Sequence, residues 1–334
     1  MQGPSIHTTQ RTVLVLGARG TVGSEVTRAL LEAGARVRIL TRSSNGLAHL
    51  PDTVERLVGD VRDRACLARA MDGVASAFYS SPHEEDEEQL ARNVVEACET
   101  AGARLVFVGV HADGPNRLVR ALKRGAFGRL APHYRPKFAI AERVRRSRAN
   151  TVLLMPSNFC QNDELFREQL LAGIFSQPLG HRGLNRVDVR DVGDAAARAM
   201  LDPSIPSGTL PVDGPATFSG PACAAVWSAA LGREVRYTGD DEQSWTRPLR
   251  ERLSGRKQED FLETYRMISR FYVPTDPLSV ARTTQLLGRP PRSYGEYVRD
   301  TLARWRSAAT ACPGSGQVAG THLVGIRALP TSAV

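Results

Sequence analysis

Short apolar runs alternate with amphipathic stretches through the first half of this chain. Runs of β type cover Thr12–Leu16, Arg36–Leu40, Val54–Val58, Ala75–Tyr79, Arg104–Val108 and Thr151–Met155. Between them, apolar positions recur at helical spacing over Val22–Ala33, Ala65–Met71, Gln89–Ala101 and Phe138–Arg148. Gly34 and Gly102 stand where the first and third of these helices should end. Strands that alternate with helices predict an α/β fold with a parallel, doubly wound sheet. The second half is richer in helix. Short strands are expected at Val187–Val189 and Leu210–Val212. Helices are expected over Asp191–Leu201, Ser219–Leu231, Asp241–Leu253, Gln258–Phe271, Val280–Leu287 and Tyr294–Arg306. Residues 111–135 break the pattern with glycines, prolines and arginines. They read either as a mobile segment beside a site or as a long connection. The first ten residues read as a loose start, and 308–334 as a disordered tail.

The junction between the first strand and the first helix carries chemistry. It reads Gly17-Ala18-Arg19-Gly20-Thr21-Val22-Gly23, a G-x-x-G-x-x-G spacing. Gly17 permits the tight turn, Gly20 lets a pyrophosphate approach the backbone, and Gly23 lets the helix pack on the strand. The N–H groups and dipole of the helix N-terminus, at Thr21 and Val22, then favour the phosphates. With a strand before it and a helix after it, this is a dinucleotide site. A site selective for NAD usually ends the second strand with Asp or Glu. Here the strand runs into Thr41-Arg42, and Arg19 sits in the glycine loop. Two guanidinium groups suit a 2′-phosphate, so the expected cofactor is NADP(H). After the third strand, Asp60 either accepts from the adenine amino group or simply makes a turn. Val61, Ser80, Ser81 and Gly109 follow strand ends and are expected to line the same cofactor site. On this basis 11–160 forms the Rossmann domain. Residues 161–307 form a smaller, mainly helical substrate-covering region that interleaves with the sheet.

Composition narrows the picture further. The apolar share of 42% can build a core of this size. No apolar run is long enough to span a bilayer, and the N-terminus lacks the apolar centre of a signal peptide, so a cytoplasmic protein is expected. The five cysteines are scattered without metal spacing, which suits free thiols. The net charge of +9 rests almost wholly on arginine, for only Lys123, Lys137 and Lys257 are lysines. Because these arginines are interleaved with acids along the whole chain, a solvated surface is expected rather than a nucleic-acid footprint. The acidic run Glu84–Glu88 is read as stabilising the dipole of the helix that follows it.

Several segments together resemble the atypical short-chain dehydrogenase/reductase superfamily, and within it the NmrA-like family. They are the glycine loop, Gly59-Asp60-Val61, the run Met155-Pro156-Ser157-Asn158-Phe159-Cys160-Gln161-Asn162, the segment Val187-Asp188-Val189-Arg190-Asp191-Val192 and the late Leu286-Leu287-Gly288-Arg289. The likeness runs over about residues 12–305. It implies a Rossmann fold with NADP(H) across the strand tips and a substrate cleft formed by the C-terminal half. Members are of two kinds: reductases of quinones, conjugated aromatics, dyes or benzylic ethers, and regulators that bind the dinucleotide without turning it over.

Ordinary short-chain dehydrogenases use a Ser, a Tyr and a Lys four positions after the Tyr. This chain departs from that set. Strand five ends Val108-Gly109-Val110-His111 without serine, and Tyr134 and Lys137 are three apart. Lys137 matches the lysine that NmrA-like reductases keep on this helix and is assigned to the nicotinamide ribose. Tyr134 and His133 are candidate proton donors. His111, at the end of strand five, is a candidate substrate contact. Pro156, Asn158 and Phe159 should pass beside the nicotinamide, with Phe159 and Asn162 toward the substrate. Cys160 has no neighbouring base and reads as packing. No metal site and no Ser-His-Asp arrangement is found. The expectation is an NADPH-dependent reductase of a small, apolar, conjugated or aromatic carbonyl, quinone or imine, acting as monomer or homodimer without nucleic-acid or membrane partners. The alternative is a non-catalytic redox-sensing regulator.

Overall fold

A computed structural model of the chain describes residues 11–43, 45–110, 125, 128–129, 132–269 and 274–310. The loose start expected over the first ten residues, most of the 111–135 segment and the tail beyond Thr310 lie outside the described residues, as does His111. The first half follows the alternation of the sequence: β1 (Thr12–Leu16), α1 (Thr21–Glu32), β2 (Arg36–Thr41), β3 (Glu55–Val58), α2 (Arg64–Ala70), β4 (Val74–Ser80), α3 (Glu87–Ala101) and β5 (Arg104–Val108). A 3-10 turn, Pro132–Tyr134, leads into α4 (Arg135–Arg146), where Pro136 occupies the first turn that its missing N–H suits. β6 (Thr151–Pro156) and β7 (Asn158–Phe159) follow.

The main sheet has seven strands in the order β10-β6-β5-β4-β1-β2-β3, with every pairing parallel. Alternate side chains of each strand enter opposite cores, as a period of two requires. Val13, Val15, Ile39, Phe78, Val106 and Leu154 face one helix layer. Leu14, Leu16, Leu40, Tyr79, Leu105 and Phe107 face the other, with α2, α3 and α4. Burial on both faces explains why these strands read as continuous apolar runs.

Elements from beyond residue 160 complete the first layer. Chain order brings a 3-10 turn (Cys160–Phe166), α5 (Arg167–Leu171), β8 (Ile174–Phe175), β9 (Leu184–Val187), α6 (Val189–Leu201) and β10 (Gly208–Val212). The strand expected at Val187–Val189 ends at Val187, because Asp188 caps α6 and Val189 is already helical. α6 packs on α1, and β10 pairs with β6. Then come β11 (Thr217–Phe218), α7 (Gly220–Leu231), β12 (Arg236–Tyr237), α8 (Glu242–Arg252), α9 (Gly255–Ile268), α10 (Pro277–Leu287) and α11 (Tyr294–Thr310). α10 lies against β10 and α6. A separate core around Trp227, Tyr294, Tyr297 and Trp305 joins α7 to α11. Among the described residues, no helix is long and apolar enough to cross a membrane.

Candidate functional site

Strand order reverses between β1 and β4: chain order runs outward from β1 through β2 and β3, and on the other side through β4, β5 and β6. Loops leaving the carboxyl ends of β1 and β4 therefore diverge and open a crevice there. Apart from Lys137, which stands in the first turn of α4, every cofactor residue expected from the sequence lies in such a loop, at its strand end or at the start of α1. Gly17 to Gly23 follow β1, Arg42 follows β2, and Asp60 and Val61 follow β3. Ser80 ends β4 and Ser81 follows it, Gly109 follows β5, Pro156 ends β6, and Asn158 and Phe159 form β7 just beyond it.

The glycine loop has the form that a phosphate cradle needs. Gly17 sits at φ +78°, in the left-handed region that favours glycine, and its carbonyl accepts from Gly20 N at 2.9 Å. A Cβ on Gly23 would stand 2.1 Å from that same carbonyl oxygen, so no side chain fits. Gly20 is the N-cap of α1 and supplies no side-chain acceptor to the first turn. The N–H groups at Thr21 and Val22 thus face the crevice mouth without a capping side chain, as an anion site requires. At the other end of the crevice, Asn158 Oδ1 is buried with no hydrogen-bond partner among the described residues. An orphaned acceptor of this kind suits an N–H donor from a bound group, such as a carboxamide. The residues present therefore fit a dinucleotide laid from Gly17 to Asn158.

The outer end is strongly charged. Arg19 is exposed, and a side chain built at Gly46 would begin 3.7 Å from its Nε, so Arg19 leans over the loop that follows Arg42. Arg42 is itself exposed and lies 3.3 Å from Glu84. Asp60 Oδ1 accepts from the backbone N–H of Arg62 at 2.9 Å, which is the turn geometry that competed with adenine binding in the sequence reading. Val61 offers its carbonyl to Asn93 at 3.0 Å. The acidic run does more than stabilise a helix dipole. Glu87 and Glu88 do occupy the first turn of α3. Glu84 also pairs with Arg42 and Arg62, Glu85 with Arg256, Asp86 with Arg62, and Glu87 with Lys137.

Lys137 is the centre of the inner end. Its side chain is largely covered, at 11% exposed, and Nζ pairs with the buried carboxylate of Glu87. It also donates to the Pro82 carbonyl at 2.7 Å and to Ser81 Oγ at 3.3 Å. Burial lowers the Lys137 pKa, and Glu87 works against that shift. The two preceding candidates are held by α9. Thr264 Oγ1 donates to Tyr134 Oη at 3.1 Å and lies 3.1 Å from His133 Nε2. His133 Nδ1 is 2.5 Å from Glu263. Burial pushes the Tyr134 phenol up and the His133 imidazole down. Asn162 is half-buried in the 3-10 turn after β7, and Phe159 packs against the first core. Cys160 is fully buried and burial pushes its thiol well up, in line with packing.

Three of the segments that carried the family resemblance are bonded to one another. Gln161 donates to Asp188 Oδ1 at 2.7 Å and accepts from the Val189 N–H at 2.9 Å, so the β6 loop and the start of α6 close a reciprocal pair. Asp191 and Asp194 receive Arg289 and Arg292 from the turn after α10, and Asp194 also receives Arg28 of α1. Beneath the loop, Arg186 of β9 is fully buried and donates to the Phe159 carbonyl at 2.9 Å. Its charge is met by buried Asp163 at 2.9 Å. Asp163 also accepts from Trp227 Nε1 at 3.1 Å and from Tyr294 Oη. Sequence reasoning missed Glu87, Asp163 and Arg186.

These carboxylates make folding sensitive to acid. Burial alone would raise Asp188, but hydrogen bonds from the Arg190 guanidinium and backbone hold it below the usual carboxylate value. Burial opposes, and Arg28, Arg292 and Arg289 together produce, the same lowering at Asp194. A carboxyl lowered by folding contributes fully above its unfolded pKa of about 4 and loses that contribution as pH falls through the folded value. Urea midpoints measured from pH 6 to pH 3 are expected to drop, and Asp188→Asn to flatten part of that drop. An equally steep drop in Asp188→Asn would show that the cap is not its source.

Comparison with known proteins adds four findings. A model of the NmrA-like family matches residues 9–293. An NAD(P)H azoreductase from Xenophilus azovorans is 28% identical over 304 residues, covering 89% of this chain and 100% of the relative. The triphenylmethane reductase of a Citrobacter species has a similar structure, with TM-score 0.71 and 18% identity over 87% of this chain and 99% of the neighbour. The negative transcriptional regulator NmrA, solved in complex with NADP, gives TM-score 0.69 and 17% identity over 90% of this chain and 98% of the neighbour.

Proposed function

This chain belongs to the NmrA-like family; from that premise we propose that it is an NADPH-dependent reductase of a small, largely apolar, conjugated or aromatic substrate with a carbonyl, quinone, imine or azo double bond. The observation that carries the proposal is the uncapped first turn of α1 beneath the glycine loop, with Arg19 and Arg42 at one end and the orphaned Asn158 oxygen at the other. The full-length likeness to an azoreductase supports the reductase reading over its rival. When bound, NADPH supplies a hydride from its nicotinamide. The residues of the chain bind, orient and enclose. Thr21 and Val22 present N–H groups to the pyrophosphate. Asn158 holds the carboxamide. Phe159 and Asn162 border the substrate, and α9 covers the inner end and keeps water out.

Arg19 and Arg42 clamp the 2′-phosphate. The contact of Arg42 with Glu84 is an exposed pair of low value, which a phosphate replaces readily. Charge-assisted bonds of this kind are worth about 1.5–3 kcal/mol each. The double variant Arg19→Ala/Arg42→Ala is therefore expected to weaken NADPH binding by about 100-fold or more and to leave NADH binding nearly unchanged. Equal loss for the two cofactors in a fluorescence titration would remove both arginines from phosphate recognition.

The second reading, a dinucleotide-binding regulator, draws support from the absent serine after β5 and from the engagement of Lys137 with Glu87. Oxidation of NADPH in the presence of quinones, azo dyes, enones and imines separates the two. Turnover on any of these favours the reductase. Failure on all, with tight binding of both NADP+ and NADPH, favours the regulator.

A further inference from the structure

The loop after β4 carries a histidine that plays no part in the cofactor cradle. His83 Nδ1 lies 2.6 Å from Asp260 Oδ2. The Asp260 side chain is only 5% exposed and its other oxygen is held by Arg256 Nε at 3.0 Å. We propose that His83 delivers the proton to the substrate, with Asp260 holding its ring through Nδ1. The inference rests on the reductase reading above.

Four observations support it. His83 stands three residues past Ser80, the end of β4, beside the reversal point of the sheet. A carboxylate on Nδ1 fixes ring orientation and tautomer, which leaves Nε2 as the working nitrogen. That Nε2 has no partner among the described residues, while the side chain keeps 33% of its exposure. The loop is also held still, since Lys137 donates to the carbonyls of Ser81 and Pro82 immediately before it. The rival donors are placed less well. Both ring nitrogens of His133 face α9, and the Tyr134 oxygen accepts from Thr264 while burial raises its pKa. The ring of His83 rests 5.9 Å from that of Phe261, and the nearby charges are Asp260, Arg256, Glu85, Lys137 and Glu87.

In the step, one atom of the substrate double bond receives hydride from the dinucleotide. The π electron pair moves to the other atom, which takes the proton from Nε2 of the imidazolium. His83 is left neutral with its Nδ1 proton toward Asp260, and solvent restores the Nε2 proton.

The test uses the full chain and two readouts. First, diethylpyrocarbonate labelling is mapped by peptide mass. NADP+ is expected to slow labelling of His83 several-fold. Second, His83→Gln is expected to bind NADPH within about two-fold of wild type, yet to lose about 10²–10⁴-fold in kcat with 1,4-benzoquinone or an azobenzene dye. Asp260→Asn should reduce kcat with NADPH binding preserved. An active wild type with an equally active His83→Gln, or labelling indifferent to NADP+, overturns the assignment alone. A wild type inert on every substrate overturns the reductase reading and the proton role with it.

Discussion

Replacing Arg186 with methionine is expected to lower the free energy of unfolding by about 3–5 kcal/mol, the usual cost of stranding one partner of a buried ion pair. Arg186 and Asp163 are both fully buried and 2.9 Å apart. Burial alone would lower the guanidinium pKa, but Asp163 holds it well above the ordinary value. The charge also faces the Tyr294 ring, with the guanidinium carbon 5.0 Å from its centroid. Removing it leaves the Asp163 carboxylate in an apolar core and releases the Phe159 carbonyl from its donor. The loss belongs to the pair, so Arg186→Met/Asp163→Asn should recover part of it. A coupling of about 2 kcal/mol is expected from urea denaturation of the full double-mutant cycle. Strict additivity would show that the two residues act separately. In any Arg186 variant that still folds, the Asn158–Phe159 strand should loosen, and the cofactor should bind more weakly than the glycine loop alone predicts.

A methionine at Lys137 is expected to destabilise the fold by a similar amount, about 3 kcal/mol, and so to confound any direct reading of its role in turnover. The expectation follows from the pairing, because Glu87 is 2% exposed and has Lys137 as its counter-charge. The informative variant is Lys137→Met/Glu87→Gln, in which no charge is stranded. Its stability should return to within about 1 kcal/mol of wild type. If its NADPH oxidation is then lost while NADPH binding persists, Lys137 acts on the chemistry. If the rate is kept, Lys137 serves to anchor the loop at Ser81 and Pro82.

Local signals made most of the fold legible. Five-residue apolar runs gave the strands because both faces of a parallel sheet are buried, and glycines marked helix ends. The glycine loop was legible because its spacing is dictated by a turn, a close approach and a packing contact within seven residues. Two-residue strands such as β7, β8 and β12 were not, since a period of two has no room to show itself. The charged pairs were hidden for a different reason. Glu87 meets Lys137 fifty residues on, and His83 meets Asp260 177 residues on. Nothing near either residue distinguishes it from a surface charge. The arginines read as a solvated coat, and several pair with acids at the surface, but Arg186 and Arg104 lie within the protein. His83 had one usable signal. It follows a strand at the carboxyl edge as directly as His111 does, and the same rule that singled out His111 applies to it.

The position of β10 and α6 has a consequence for how the protein comes into being. The apolar side of α1, made within the first thirty-odd residues, is covered by α6, and the edge of β6 is closed by β10. Both arrive from more than a hundred and fifty residues later in the chain than α1. During synthesis the glycine loop and its helix must therefore wait, half-dressed, until the ribosome has delivered residues 189–212. Even then the layer is finished only when α10 docks on β10. Such a nascent chain exposes an open strand edge and an uncovered helix for most of its translation, the condition in which chaperones are recruited.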